Sequence, residues 1–245
     1  MRKHHVPIGW PSPDPRQYRF PLPNVVWEYN LKSVEFVILP CPCFVHSHRR
    51  DDGKVSAETV SKTVHMTTDT VKKYLSSLAD RKLITDEFSL APVLQLTDDR
   101  MFFTLPNEIF LLNLPPSAFM VYAYLLLVED RRTHTCHPSY NTIAAEAGMA
   151  RNTVIKSIDV LLDAKLIAMD HSRYIDKHGM KWKGNNLYTI LPTRQAVDAY
   201  HQRKLRQLEL DAERRRVRRR QEEYDRCHPR TALCVLTAPG FAPAT

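Results

Sequence analysis

The sequence predicts a mainly α-helical chain with small β-hairpins, made of two tandem copies of one three-helix unit and a basic helix after them. Three observations predict it. The stretch Phe20–Ile84 returns without a gap as Phe103–Ile167, displaced by 83 positions. In the second copy apolar residues recur at helical spacing and then, after Leu166-Ile167, with a period of two. Beyond Thr193 the composition becomes strongly charged.

The repeat is carried by specific residues. Phe20-x-Leu22-Pro23-Asn24 returns as Phe103-x-Leu105-Pro106-Asn107, and Asn30-Leu31 as Asn113-Leu114. Thr70-Val71-x-Lys73 returns as Thr153-Val154-x-Lys156, and Asp80-x-Lys82-Leu83-Ile84 as Asp163-x-Lys165-Leu166-Ile167. A unit of this length is too long for a solenoid repeat and too short for a large domain. Each copy lies near the lower size limit for a self-supporting core, so two small cores are expected.

Residues 1–19 form a Pro-rich arm, expected to be extended or disordered. Each copy then opens with a strand entering a turn. In the second copy (101–193) a helix follows, with Pro115 and Pro116 at its first turn, where a missing amide hydrogen costs nothing. Phe119, Tyr122 or Ala123, Leu126 and Leu127 recur along it at helical spacing. A second helix spans Ser139–Ala147 with Ser139 as N-cap, and Gly148-Met149-Ala150 makes a tight left-handed corner. The third helix runs from about Arg151 to Lys165, burying Val154, Ile158, Leu161 and Leu162.

Ala168–Ile175 and Asn186–Leu191 are strand-like arms around the tip Asp176–Asn185. Strand, three helices and a two-stranded hairpin make a winged helix.

The first copy (20–100) keeps the order, with helices at Val55–His65 and Asp69–Lys82 around the turn Met66-Thr67-Thr68. Its wing region, Thr85–Arg100, is shorter and more acidic than basic. Pro40 and Pro42 fall where the second copy has Ala123 and Leu125. An interior proline costs about 3 kcal/mol or more, so the leading helix is expected to kink or stop short. A basic helix occupies 194–230, and 231–245 form a tail expected to be disordered.

The formal charge is +8 and the pI about 9.3, which favours polyanionic partners, nucleic acid or an anionic leaflet. No run approaches the ~18 apolar residues of a membrane span, and no secretory signal is expected. Five cysteines without a disulfide-like framework fit a reducing cytoplasm.

The third helix of the second copy suits a duplex groove. A helix fits the major groove of B-DNA, braced by the helix before it. Arg151, Asn152, Thr153 and Lys156 stand opposite the apolar stripe. Asn pairs bidentately with adenine, Arg or Lys with guanine, and a Thr methyl touches a thymine methyl. Ser139, Tyr140 and Asn141 start the bracing helix and are placed to reach phosphates. The wing tip carries Lys177, Lys181 and Lys183 around Trp182, for phosphate or minor-groove contact, with Trp182 either packing or touching a sugar. In the first copy Thr67, Thr68, Lys72 and Lys73 take the equivalent places, but its wing carries more acid than base. The second copy is therefore expected to be the stronger binder, and the first to add weaker contacts or to dock a partner.

The opening Phe-x-Leu-Pro-Asn-x-Ile-Phe carries a resemblance, together with His137-Pro138-Ser139-Tyr140-x-Thr142-Ile143-Ala144, Gly148-Met149-Ala150-Arg151-Asn152-Thr153-Val154 and Asn186-Leu187-Tyr188-Thr189-Ile190. The chain resembles the helix-turn-helix proteins of bacterial plasmids, phages and mobile elements, including the N-terminal domains of replication initiators. The likeness covers Phe103–Leu191 well and Phe20–Ile84 more faintly. It implies sequence-specific duplex binding by Arg151, Asn152, Thr153 and Lys156. One departure is Ala150, where the family usually has Ser as N-cap; the lost acceptor costs about 1 kcal/mol.

Other constellations carry less. Cys41-x-Cys43-x2-His46-x-His48 holds four zinc-type ligands, but on a regular helix they point apart and leave no loop to wrap an ion. The repeat aligns them with Tyr124, Leu126, Glu129 and Arg131, so no metal is expected. No phosphate loop, nucleophile elbow or HExxH motif occurs, so neither catalysis nor a cofactor is expected. The run Arg214-Arg215-Arg216-x-Arg218-Arg219-Arg220 has three readings: a solvated helix with internal Glu–Arg pairs, a phosphate-binding arm, or a homodimer contact along Val197, His201, Leu205, Leu208 and Ala212.

The sequence thus reads as a cytoplasmic double-stranded DNA-binding protein, a transcriptional regulator. A plasmid or mobile-element replication initiator and a winged-helix protein adaptor are the alternatives.

Overall fold

The computed structural model describes residues 19–41, 44, 56–85, 91, 94, 102–175 and 181–228. The N-terminal arm up to residue 18, Cys43, His46, His48, most of the first copy's wing, Lys177 and the C-terminal tail lie outside them.

The described elements of the first copy recur in the same order in the second, which adds a short strand and a hairpin. The first comprises β1 (Arg19–Pro23), a 3-10 helix (Asn24–Tyr29), α1 (Ser33–Ile38), α2 (Ala57–Val64) and α3 (Thr68–Asp80). The second comprises β2 (Phe102–Pro106), a 3-10 helix (Asn107–Leu112), α4 (Pro116–Val128), β3 (Thr135–Cys136), α5 (Tyr140–Glu146) and α6 (Arg151–Asp163). A hairpin follows, β4 (Ile167–Ile175) and β5 (Lys181–Ile190), and then α7 (Thr193–Cys227). Left-handed residues recur at the same 83-residue displacement: Asn30 and Asn113 (φ 45° and 48°), His65 and Gly148 (55° and 59°), Lys82 and Lys165 (57° and 58°). Sequence duplication is therefore matched by backbone duplication at the corners, where conformation is most demanding.

The expectation of two separate cores gives way to one. β1 pairs antiparallel with β2, so the opening strands of the two copies close a two-stranded ribbon together. A strand has unpaired amides along both edges, and joining the copies satisfies one edge of each. Phe20, Leu22, Phe103 and Leu105 all turn inward from this ribbon into a single continuous apolar cluster. At its centre runs α4, in which every residue from Ala118 to Leu126 is buried. A helix apolar on all sides needs cover on all sides, and α1, α6 and β2 pack around it.

The leading helix of the first copy stops at Ile38, with Leu39 and Pro40 in a turn. The Phe44 amide then donates to the Pro40 carbonyl at 3.0 Å, so helical bonding resumes after the break. Proline supplies no amide to the preceding turn, which is why a 13-residue helix in the second copy corresponds to six residues here.

A polar cluster also sets the first copy apart. Glu35 is 3% exposed. Its carboxylate accepts from the Lys32 amide at 3.0 Å, the Ser77 hydroxyl at 2.8 Å and the Arg81 guanidinium at 3.3 Å. Arg81 also donates to the Tyr29 carbonyl. The repeat places Ala118, Val160 and Ala164 where the first copy has Glu35, Ser77 and Arg81. One copy thus fastens its third helix to its first through charge, the other through apolar packing.

Among the described residues, those up to Tyr200 form one compact unit and those from His201 another. Within the first, Ala196 is buried and Val197 and Tyr200 pack partly against the core. Within the second, α7 exposes Leu205, Leu208, Leu210 and Val217 and carries pairs along its own axis, Arg214–Asp211 at 3.9 Å and Arg218–Glu222 at 3.5 Å. No described helix is long and apolar enough to cross a membrane.

Candidate nucleic-acid interface

α5 and α6 meet at the corner Gly148-Met149-Ala150. Ser139 caps α5, its hydroxyl accepting from the Thr142 amide at 3.1 Å. Ala147 follows the last turn, and Gly148 takes the left-handed corner that a Cβ disfavours. α6 then starts from Ala150 without a side-chain cap. Its inner face buries Val154, Ser157, Ile158 and Leu161. The expected stripe is corrected in one place: Ser157 is buried, whereas Leu162 is half-buried at the margin.

On the opposite side Arg151, Asn152 and Lys156 are exposed and Thr153 is half-buried. Asn152 and Lys156 stand one turn apart on the same strip, with Asp159 beyond them and also exposed. The Arg151 guanidinium lies over the Tyr140 ring, 5.7 Å from its centroid, an arrangement that restrains a cation at low entropic cost.

Tyr140 is turned partly inward, its hydroxyl donating to Met169 Sδ at 3.6 Å, so it links the start of α6 to β4. That contact occupies the group expected to reach a phosphate. The sequence reading missed it because partners far apart in the chain leave no local signal. Ser139 is half-buried and committed to its cap, while Asn141 is exposed.

The hairpin β4–β5 belongs to a three-stranded sheet in the order β3-β5-β4. β5 begins earlier than expected. Lys181, Trp182 and Lys183 belong to the strand, their backbones opposite Ile175, Tyr174 and Arg173. At the base of the sheet Tyr188 is buried, and burial holds its phenol well above the usual range. The Asn186 amide donates to that oxygen at 2.9 Å. Burial likewise pushes the Cys136 thiol up to about 12, which makes it an inert packing group.

In the first copy, Ser56 and Thr67 cap α2 and α3 by accepting from the Thr59 and Thr70 amides at 3.2 and 3.4 Å. Thr67, Lys72 and Lys73 are exposed, with Asp69 beside them, and Thr68 is half-buried. The repeat sets Thr68, Asp69, Thr70 and Lys73 against Arg151, Asn152, Thr153 and Lys156.

Residues 112–167 match the family described as Helix-turn-helix domain. The matched segment runs from the end of the second 3-10 helix through α4, α5 and α6 to the first residue of β4. The chain therefore contains a helix-turn-helix domain, and its third helix is α6, the one that exposes Arg151, Asn152 and Lys156. A comparison with curated proteins gives no match.

Proposed function

We propose that this chain is a sequence-specific double-stranded DNA-binding protein, a transcriptional regulator acting in the cytoplasm. Its two copies are tandem winged helix-turn-helix modules, the first diverged. The observation that carries the reading is the exposed polar strip at the start of α6, backed by a buried apolar face within a helix-turn-helix match. Exposure leaves these groups accessible, and the packed inner face holds the helix rigid as it enters a groove. Arg151, Asn152 and Lys156 read bases, Tyr140 steadies Arg151, and Lys177, Lys181 and Lys183 hold the backbone. The residues from Arg194 to Arg230 bring +5 of the formal +8 and add sequence-independent attraction.

Equilibrium binding of the full chain to labelled duplex, titrated with salt, tests this. With ~6–10 phosphate contacts, affinity falls roughly 10³-fold or more between about 50 and 200 mM salt. Replacing Lys177, Lys181 and Lys183 with Ala flattens the slope, by about one unit for each phosphate that a lysine no longer neutralises. Salt-independent or absent binding would favour a protein-binding adaptor instead.

A further inference from the structure

The pairing of β1 with β2 has a centre. Phe20 faces Leu105, Leu22 faces Phe103, and between them Pro21 faces Thr104. In the repeat, Phe20 corresponds to Phe103, Leu22 to Leu105 and Pro21 to Thr104. Each pair is thus answered by its exchanged counterpart, and Pro21 meets its own equivalent. Where both copies carry a ring, the aromatic contacts obey the same rule. Phe20 with Phe110 (6.0 Å) is answered by Phe103 with Trp27 (6.3 Å), since Trp27 corresponds to Phe110. Phe36 lies 6.4 Å from Phe119, again its own equivalent. Reciprocal contacts around self-paired residues are the mark of a two-fold interface; head-to-tail stacking gives no such exchange.

We infer that a single chain is a covalent pseudo-dimer that reads an inverted repeat with two unlike halves. This rests on the DNA-binding reading above. The local dyad that relates the copies also relates α3 to α6, and two dyad-related helices match a duplex whose half-sites run in opposite directions. A direct repeat needs a translation between the readers, which this core does not supply. The halves differ because the readers differ: Asn152 suits adenine, whereas Asp69 at the equivalent position accepts from a cytosine amino group. Pairing through α7 is then not needed for a two-headed complex.

The test is selection of bound sequences from a random duplex pool with the full chain, followed by native mass spectrometry on the selected duplex. The expected result is two different motifs in inverted orientation at one spacing, with one chain per duplex. Asp69→Asn, an exposed and nearly isosteric change, then moves the preferred base from cytosine to adenine in one motif only. Direct repeats, a lone half-site, or identical halves filled by two chains would each overturn the inference while leaving DNA binding intact. No enrichment of any sequence would instead overturn the sequence-specific reading beneath it.

Discussion

The buried Glu35 cluster gives a stability prediction with an unusual sign. Replacing Arg81 with Ala removes the cation that pairs with a carboxylate whose side chain is 4% exposed. Breaking a fully buried pair costs about 3–5 kcal/mol. Arg81 is itself 35% exposed, so water screens part of the loss and about 2–3 kcal/mol is expected. Ser77→Val removes one hydrogen bond to a charged group, about 1.5 kcal/mol. The double variant should therefore lie about 4 kcal/mol below the natural chain. Adding Glu35→Ala recreates the apolar trio Ala118, Val160 and Ala164 of the second copy and removes the stranded charge. The residual cost is then the small cavity, about 1–2 kcal/mol, so the third substitution restores stability. Urea unfolding of the full chain, followed by circular dichroism, reads all three variants. A triple variant no more stable than the double would refute both the stranded-charge account and the equivalence of the two sites.

Other expectations follow from the same structure. Gly148→Ala meets no atom within 4 Å of the added Cβ, so its cost is conformational alone, about 1–2 kcal/mol by melting. His65→Gly, at the matching left-handed corner, should raise the melting temperature instead. Ala150→Ser supplies the missing cap of α6 and should stabilise by about 1 kcal/mol. The Glu129 carboxyl is raised by burial, an effect that outweighs the nearby Arg19 and His134. A carboxyl raised on folding stabilises below its ordinary pKa, and that contribution is lost as pH climbs through the folded value. Unfolding free energy should therefore fall across that window, and Glu129→Gln should abolish the fall. An unchanged pH profile would remove Glu129 as the cause.

Much of the second copy was legible because its signals are local. Ser139 caps the helix it precedes, Gly148 turns the corner, and Val154, Ile158 and Leu161 face inward at the spacing of a helix. Pro40 marked the break in the first copy for the same reason: its missing amide acts within one turn. What escaped was long-range. Nothing near Phe20 announces Leu105 as its partner, and Glu35 looks like an ordinary first-turn acid until Ser77 and Arg81 are brought to it. α4 did carry an unused clue, since a helix apolar on every side needs a larger core than one copy provides. Position alone makes Tyr140 look like a phosphate contact, and nothing local announces that its hydroxyl meets Met169 Sδ and its ring carries Arg151.

In the function proposed above, the strip formed by Arg151, Asn152 and Lys156 enters a major groove and reads bases. The most direct measurement compares dissociation constants on the selected duplex and on a scrambled one, for the natural chain and for Asn152→Ala with Lys156→Ala. Each good base contact is worth about 1–3 kcal/mol of discrimination. The ratio of the two constants should therefore collapse by roughly tenfold or more, with binding to the scrambled duplex much less affected. A ratio that survives both substitutions would show that α6 is not the reading helix.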